Sequence, residues 1–171
     1  MAEVFLSLGS NVHREHHIRS ALDALTHTFG KLNCSSVYES EAVGFEGEHF
    51  YNLVVSICTT LAPGKLSSQL RQIEEDNDRN RSAPRFSART LDIDILDYNQ
   101  YDGSIDGIDL PREEILYNAF VLKPLAELAP NHCHAISGKT YASLWQAFDQ
   151  NSQKLWVVPF VWQNVDLSNS T

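Results

Sequence analysis

Asp92 and Asp94 stand one residue apart in the stretch RTLDIDILDY, residues 89–98. The stretch alternates as a β-strand does, with Leu91, Ile93 and Ile95 on one side and both aspartates on the other. Side chains two apart on a strand share a face, with Cα atoms roughly 6.5–7 Å apart, so these carboxylates repel unless a cation lies between them. Hard oxygen ligands at that spacing suit one or two Mg²⁺ ions whose other positions are filled by nucleotide phosphates and water. Just upstream, four of the 13 lysines and arginines (Arg79, Arg81, Arg85 and Arg89) fall within positions 79–89. Metal plus arginine is what polyphosphate transfer requires. The competing reading is an acidic strand edge in solvent, beside a loop neutralised by Glu74, Glu75, Asp76 and Asp78.

Other candidate motifs are weaker. HFYN (49–52) places Phe50 and Asn52 on one face of a strand, an aromatic ring beside a carboxamide, which suits a flat heteroaromatic ligand. SGKT (137–140) resembles the end of a phosphate-binding loop, but Cys133 stands where that loop needs glycine. LGSN (8–11) has one glycine of a dinucleotide fingerprint and reads as a turn. His13 and His17 are four apart without a further ligand at metal spacing, and His132 and His134 merely flank Cys133. No nucleophile-elbow pattern supports serine hydrolase chemistry.

The elements that must position these residues follow from periodicity. VFLSL (4–8) reads as a buried strand ending in a turn at Gly9-Ser10-Asn11. Ile18, Ala21, Leu22, Leu25 and Phe29 form one face of a helix over 14–29 that Gly30 ends. Residues 31–40 are strand-like, and 50–61 form a long β-rich run. A helix starts at Pro63 with Leu66, Leu70 and Ile73 inward, and the strand of the two aspartates follows. This β-α-β-β-α-β order predicts an α+β fold, a ferredoxin-like split β-α-β sandwich with an antiparallel sheet and helices packed on it. Residues 118–130 predict a further helix that Pro124 starts or kinks, and LWVVPFVW (155–162) an added strand or a cover for the sheet.

At 171 residues the chain is read as a single domain over 1–165, with a frayed tail at 166–171. Three widely spaced cysteines suggest reduced thiols and a cytoplasmic location. The amino terminus has no signal-peptide pattern and no apolar run is long enough for a membrane span. A net charge of −9 argues against nucleic-acid binding.

Taken together, LSLGSN, SSVYESEAVG, FYNLVV, IEEDNDRNR, RTLDIDIL and FVLKPLAELAP resemble the 6-hydroxymethyl-7,8-dihydropterin pyrophosphokinase family of folate biosynthesis, from the amino terminus to about residue 130. The resemblance implies a ferredoxin-like fold, ATP as co-substrate, a dihydropterin as acceptor and AMP as product, and it implies no protein partner beyond these small molecules. It implies that Asp92 and Asp94 hold two Mg²⁺ ions with bound ATP and that Arg79 and Arg89 engage the phosphates. Asn52 would read the pterin edge, Phe50 and Phe120 would sandwich the ring, and the Ser40 and Val43 backbone would contact it. Arg71, Glu74, Arg81, Ile95 and Arg112 fall on the nucleotide side, and SEAVGFEGEHF and the 79–89 loop match mobile lids. Four features depart from the family pattern: Arg112 replaces a histidine, Asn118 replaces an arginine, Phe86 replaces a tryptophan, and SART replaces GPRT. They leave open a divergent paralogue acting on another pterin, or a non-catalytic pterin- or nucleotide-binding module.

Overall fold

In a computed structural model the described residues are 1–41, 47–78 and 90–168. The chain runs β1 (Ala2–Ser10), α1 (Arg14–Phe29), β2 (Asn33–Cys34), β3 (Tyr38–Ser40), β4 (Phe50–Thr59), α2 (Pro63–Asp76) and β5 (Asp92–Tyr98). Then follow β6 (Gly103–Ile105), β7 (Ile108–Leu110), a 3₁₀ turn (Glu113–Leu116), α3 (Ala119–Leu128), α4 (Tyr141–Ala147), β8 (Leu155–Val157), β9 (Val161–Trp162) and β10 (Val165–Asp166). The main sheet has the order β5-β1-β4-β3-β8, with β2 also on β4, and every neighbouring pair is antiparallel.

Strand alternation divides the core in two. Val4, Leu6 and Leu8 of β1, with Leu91, Ile93 and Ile95, meet Ile18, Leu22 and Leu25 of α1 and Leu66 and Leu70 of α2. On the opposite face Phe5, Val54 and Leu96 meet Val121, Leu122 and Leu125 of α3 and Tyr141 of α4. The sheet is therefore sandwiched between two helical layers, which explains why β4 is buried at every residue from Tyr51 to Ile57. β5 carries a bulge: Leu6 pairs with Ile95 but Phe5 pairs with Asp97. The extra residue lets Leu96 and Asp97 both reach the α3–α4 layer, where Asp97 Oδ2 accepts the Tyr141 hydroxyl at 2.6 Å. Both partners are buried and the bond is charge-assisted, so Tyr141→Phe should destabilise the fold by about 2 kcal/mol in urea denaturation. An unchanged midpoint would refute that role.

Some expectations change. β1 continues through Gly9 and Ser10 instead of turning at Gly9, because Gly9 pairs with Asn52 on one side and Asp92 on the other. Pro124 lies inside α3, which starts at Ala119, so proline does not begin that helix. The strand-like stretch 31–40 is two short strands, β2 and β3, not one. LWVVPFVW does add a strand, since β8 extends the sheet beyond β3, and Val158 and Phe160 join the core. In the segment expected to fray, Leu167 is 7% exposed, its N–H donates to the Phe160 carbonyl and its carbonyl accepts the Val37 N–H. Cys34, Cys58 and Cys133 are all unpaired thiols. Among the described residues no helix is long and apolar enough to cross a membrane.

Candidate active site

Antiparallel pairing puts directly opposed residues on the same face. The register Asp92–Gly9–Asn52–Tyr38 is therefore one lateral row across β5, β1, β4 and β3, and Asp94–Ser7–Val54 is the row beside it. Adjacent strands are roughly 4.8 Å apart, so Asp92 and Asn52 face the same space from about 10 Å, with Gly9 between them. Phe50 and Ser40 face this side too, in the row beyond. This is the α3 face of the sheet. Asp92, Asp94 and Phe50 are half-exposed there, while Asn52 and Ser40 are buried.

Gly9 is required by close approach. A Cβ at this position would lie 3.1 Å from Asn52 Oδ1 and 3.8 Å from Phe50 Cδ1. Asn52 is held from the other side by its amide, which donates to Ser40 Oγ at 2.7 Å. That bond orients the carboxamide and gives it one fixed face. Phe120, in the first turn of α3, brings a second half-buried ring to this side of the sheet.

The carboxylate end is electrostatically frustrated. Burial, then the charge of Asp92, pushes the Asp94 carboxyl up to about 8; Arg112 pulls it down, and Glu114 and Glu74 add to the rise. Arg112 Nη2 lies 3.6 Å from Asp94 Oδ1. The same nitrogen is 2.7 Å from Glu114 Oε1, and Arg112 Nε donates to that oxygen at 3.0 Å. Burial works against the Arg112 charge, but Asp94 and Glu114 outweigh it and hold the guanidinium above its ordinary value. Asn118 Nδ2 donates to Glu114 Oε2 at 3.0 Å. Arg112 is thus a cation at the aspartate pair. Glu114 was missed in the sequence, where it is one acid in a Glu-Glu pair with no periodic signal.

Other expected site residues have different surroundings. Glu74 is buried and its Oε2 accepts the Ile93 N–H at 2.8 Å, a bond to the backbone between the two aspartates on the edge strand β5. The Ile95 side chain packs under α1 and α2, on the face opposite the carboxylates. Arg71 is exposed on α2. Val43, Arg79, Arg81, Arg85, Phe86 and Arg89 lie outside the described residues, as do residues 42–46 of the first segment expected to act as a lid and all of 79–89, the second. His17 is buried, with Nδ1 2.8 Å from Asn77 Oδ1. His132 pairs with Glu3, and Thr140 of SGKT caps α4 by accepting the Ser143 N–H. No group of three or more histidines, cysteines or carboxylates among the described residues is placed to hold a metal.

Residues 5–130 match the family model described as 7,8-dihydro-6-hydroxymethylpterin-pyrophosphokinase. The chain belongs to this family. A Bacillus subtilis protein named 2-amino-4-hydroxy-6-hydroxymethyldihydropteridine pyrophosphokinase is 36% identical over 129 residues, covering 72% of this chain and 76% of that protein. The folic acid synthesis protein fol1 of Pneumocystis carinii is 30% identical over 172 residues, but this chain spans only 23% of its length. The crystal structure of wild-type Plasmodium falciparum HPPK-DHPS superposes with a TM-score of 0.67 at 16% identity, over 85% of this chain and 44% of that one. That likeness extends the common fold past residue 130, where the family match ends. The row Asp92–Gly9–Asn52 lies wholly inside the family match.

Proposed function

We propose that this chain transfers the β,γ-diphosphate of ATP to the hydroxymethyl oxygen of 6-hydroxymethyl-7,8-dihydropterin and releases AMP, a step of folate biosynthesis. The observation that carries this reading is the single row in which Gly9 separates Asp92 from the Ser40-braced Asn52. An acceptor ring read by Asn52 would extend toward the carboxylates across a glycine that leaves room for it. The sheet order supports the ferredoxin-like arrangement for the first five main strands, with α3 and α4 closing the second face.

Asp92 and Asp94 fit a divalent cation on the chemistry of their donor set: adjacent oxygen ligands on one face, with the Asp94 carboxyl pushed up first by burial and next by the charge of Asp92, which a cation would offset. Two Mg²⁺ ions, bound with ATP, would supply charge neutralisation at the phosphates and make the acceptor hydroxyl more acidic. The protein's own residues then position. Asn52 fixes the pterin edge, Ser40 fixes Asn52, and the rings of Phe50 and Phe120 hold the pterin plane. Arg112 offers a cation beside the carboxylates. Val43 is assigned to the pterin, Arg79 and Arg89 to the phosphates, and Arg71 and Arg81 to the nucleotide side, on the resemblance. Glu74 acts through β5, by fixing the Ile93 amide. The Ile95 side chain faces away, which leaves its backbone as the group to meet nucleotide. Phosphoryl-type transfer asks mainly for such alignment and charge stabilisation. Three free thiols support a cytoplasmic location.

Incubation with Mg-ATP and the hydroxymethyl-dihydropterin should release AMP in step with pterin diphosphate. ADP as product, or nucleotide binding without pterin-dependent turnover, would overturn the reading. Other 6-substituted dihydropterins in the same assay should turn over more slowly; a faster one would mark the paralogue alternative. Gly9→Ala should raise the pterin KM about tenfold, the equivalent of about 1.4 kcal/mol lost as Asn52 is displaced, with kcat less affected. An unaltered KM would separate Asn52 from pterin binding.

A further inference from the structure

Arg112 is held far more firmly by Glu114 than by Asp94. Its Nε and Nη2 both donate to Glu114 Oε1, at 3.0 and 2.7 Å, whereas Asp94 Oδ1 is 3.6 Å away, beyond hydrogen-bond range. Glu114 is braced in turn, since its Oε2 accepts Asn118 Nδ2 at 3.0 Å and its carbonyl accepts the Asn118 N–H at 2.9 Å. The Arg112 N–H donates to the Leu96 carbonyl at 2.8 Å, which ties the backbone to the bulge of β5. The guanidinium is therefore clamped in place, with the aspartate as its weaker, exchangeable anion.

Resting on the reading of Asp92 and Asp94 as cation ligands for nucleotide chemistry, we propose that Arg112 is a resident counter-cation. Clamped by Glu114, which Asn118 braces, it competes with a divalent cation for Asp94 before nucleotide binds, and it yields when a triphosphate offers its guanidinium a second anion. Two cations beside one carboxylate repel, so neither the metal nor Arg112 is fully accommodated until phosphate arrives. Divalent cation and nucleotide then load cooperatively, and by linkage each strengthens the other by the same factor. Arginine suits this role because its planar fork keeps its hold on Glu114 through one edge while presenting other N–H groups to phosphate.

The test is Mn²⁺ binding to the whole chain, read from the free-ion electron paramagnetic resonance signal with and without α,β-methylene-ATP. Without nucleotide, R112Q should bind Mn²⁺ about tenfold more tightly than wild type. K123Q, which removes an ammonium facing the Tyr38 and Trp145 rings, should change affinity less than about twofold. The factor by which the nucleotide analogue tightens Mn²⁺ should be smaller in R112Q than in wild type. E114Q, which unclamps the guanidinium and lets it turn to Asp94, should weaken Mn²⁺ binding and serves if R112Q does not fold. Equal Mn²⁺ affinity in wild type and R112Q, an unchanged nucleotide factor, or an equal gain in K123Q would overturn the proposal. Absence of AMP from wild type counts against the underlying reading; AMP formation with an unresponsive R112Q counts against this inference alone.

Discussion

Replacing Asp94 with alanine is expected to lower kcat at least ~10³-fold, about 4 kcal/mol of transition-state stabilisation. Asp94 faces the same space as Asp92 and pairs with Arg112, so its loss removes both a proposed metal ligand and the anion that Arg112 shares. The fold should not suffer. Burial first, and then Asp92, Glu114 and Glu74, raise the energy of an ionised Asp94, and alanine removes that cost. Thermal denaturation of the metal-free variant should therefore match or exceed wild type while turnover collapses. Near-normal turnover with Mg-ATP would remove Asp94 from the site, and a large fall in Tm would assign the loss to unfolding.

A second large effect is pH dependence. The Asp94 carboxyl is pushed up to about 8 mainly by burial and next by Asp92. A carboxyl whose folded-state value is raised prefers its proton in the folded protein. Its stabilising contribution is complete below the ordinary carboxylate range and is lost as pH rises through about 8. The Tm of metal-free protein should thus fall between pH 5 and pH 8.5 (approximate bounds from that linkage) more steeply than that of Asp94→Asn, and saturating Mg²⁺ should reduce the difference. Because cation and proton compete for the same oxygens, Mg²⁺ affinity in the presence of nucleotide should weaken approaching tenfold per pH unit below that value. Calorimetric titration at several pH values checks it. A flat profile would mean that Asp94 does not bind the ion.

What the sequence discloses here is what has a period. β5 was legible because Leu91, Ile93 and Ile95 enter one core while the residues between them do not. α1 and α2 were legible from apolar residues at helical spacing, and Pro63 and Gly30 stand at their ends. The partners of the aspartates were not, because they come from elements joined only by the fold. Asn52 is 40 residues away from Asp92 and meets it across Gly9, a residue that reads locally as a turn. The clamp on Arg112 depends on which carboxylate of Glu113 and Glu114 the 3₁₀ turn directs inward, and the shorter period of that turn leaves no amphipathic trace. The β6–β7 hairpin did leave a signal that was overlooked. Asp106-Gly107, both at positive φ, stands between Ile105 and Ile108 as a two-residue hairpin turn requires.

Anomalous diffraction from crystals grown with Mn²⁺, α,β-methylene-ATP and the hydroxymethyl-dihydropterin tests the central claim most directly. The account predicts Mn²⁺ peaks about 2 Å from carboxylate oxygens of both Asp92 and Asp94, with the pterin edge on Asn52 across Gly9. Bound nucleotide with no peak at either aspartate, or a pterin seated away from Asn52, would contradict it.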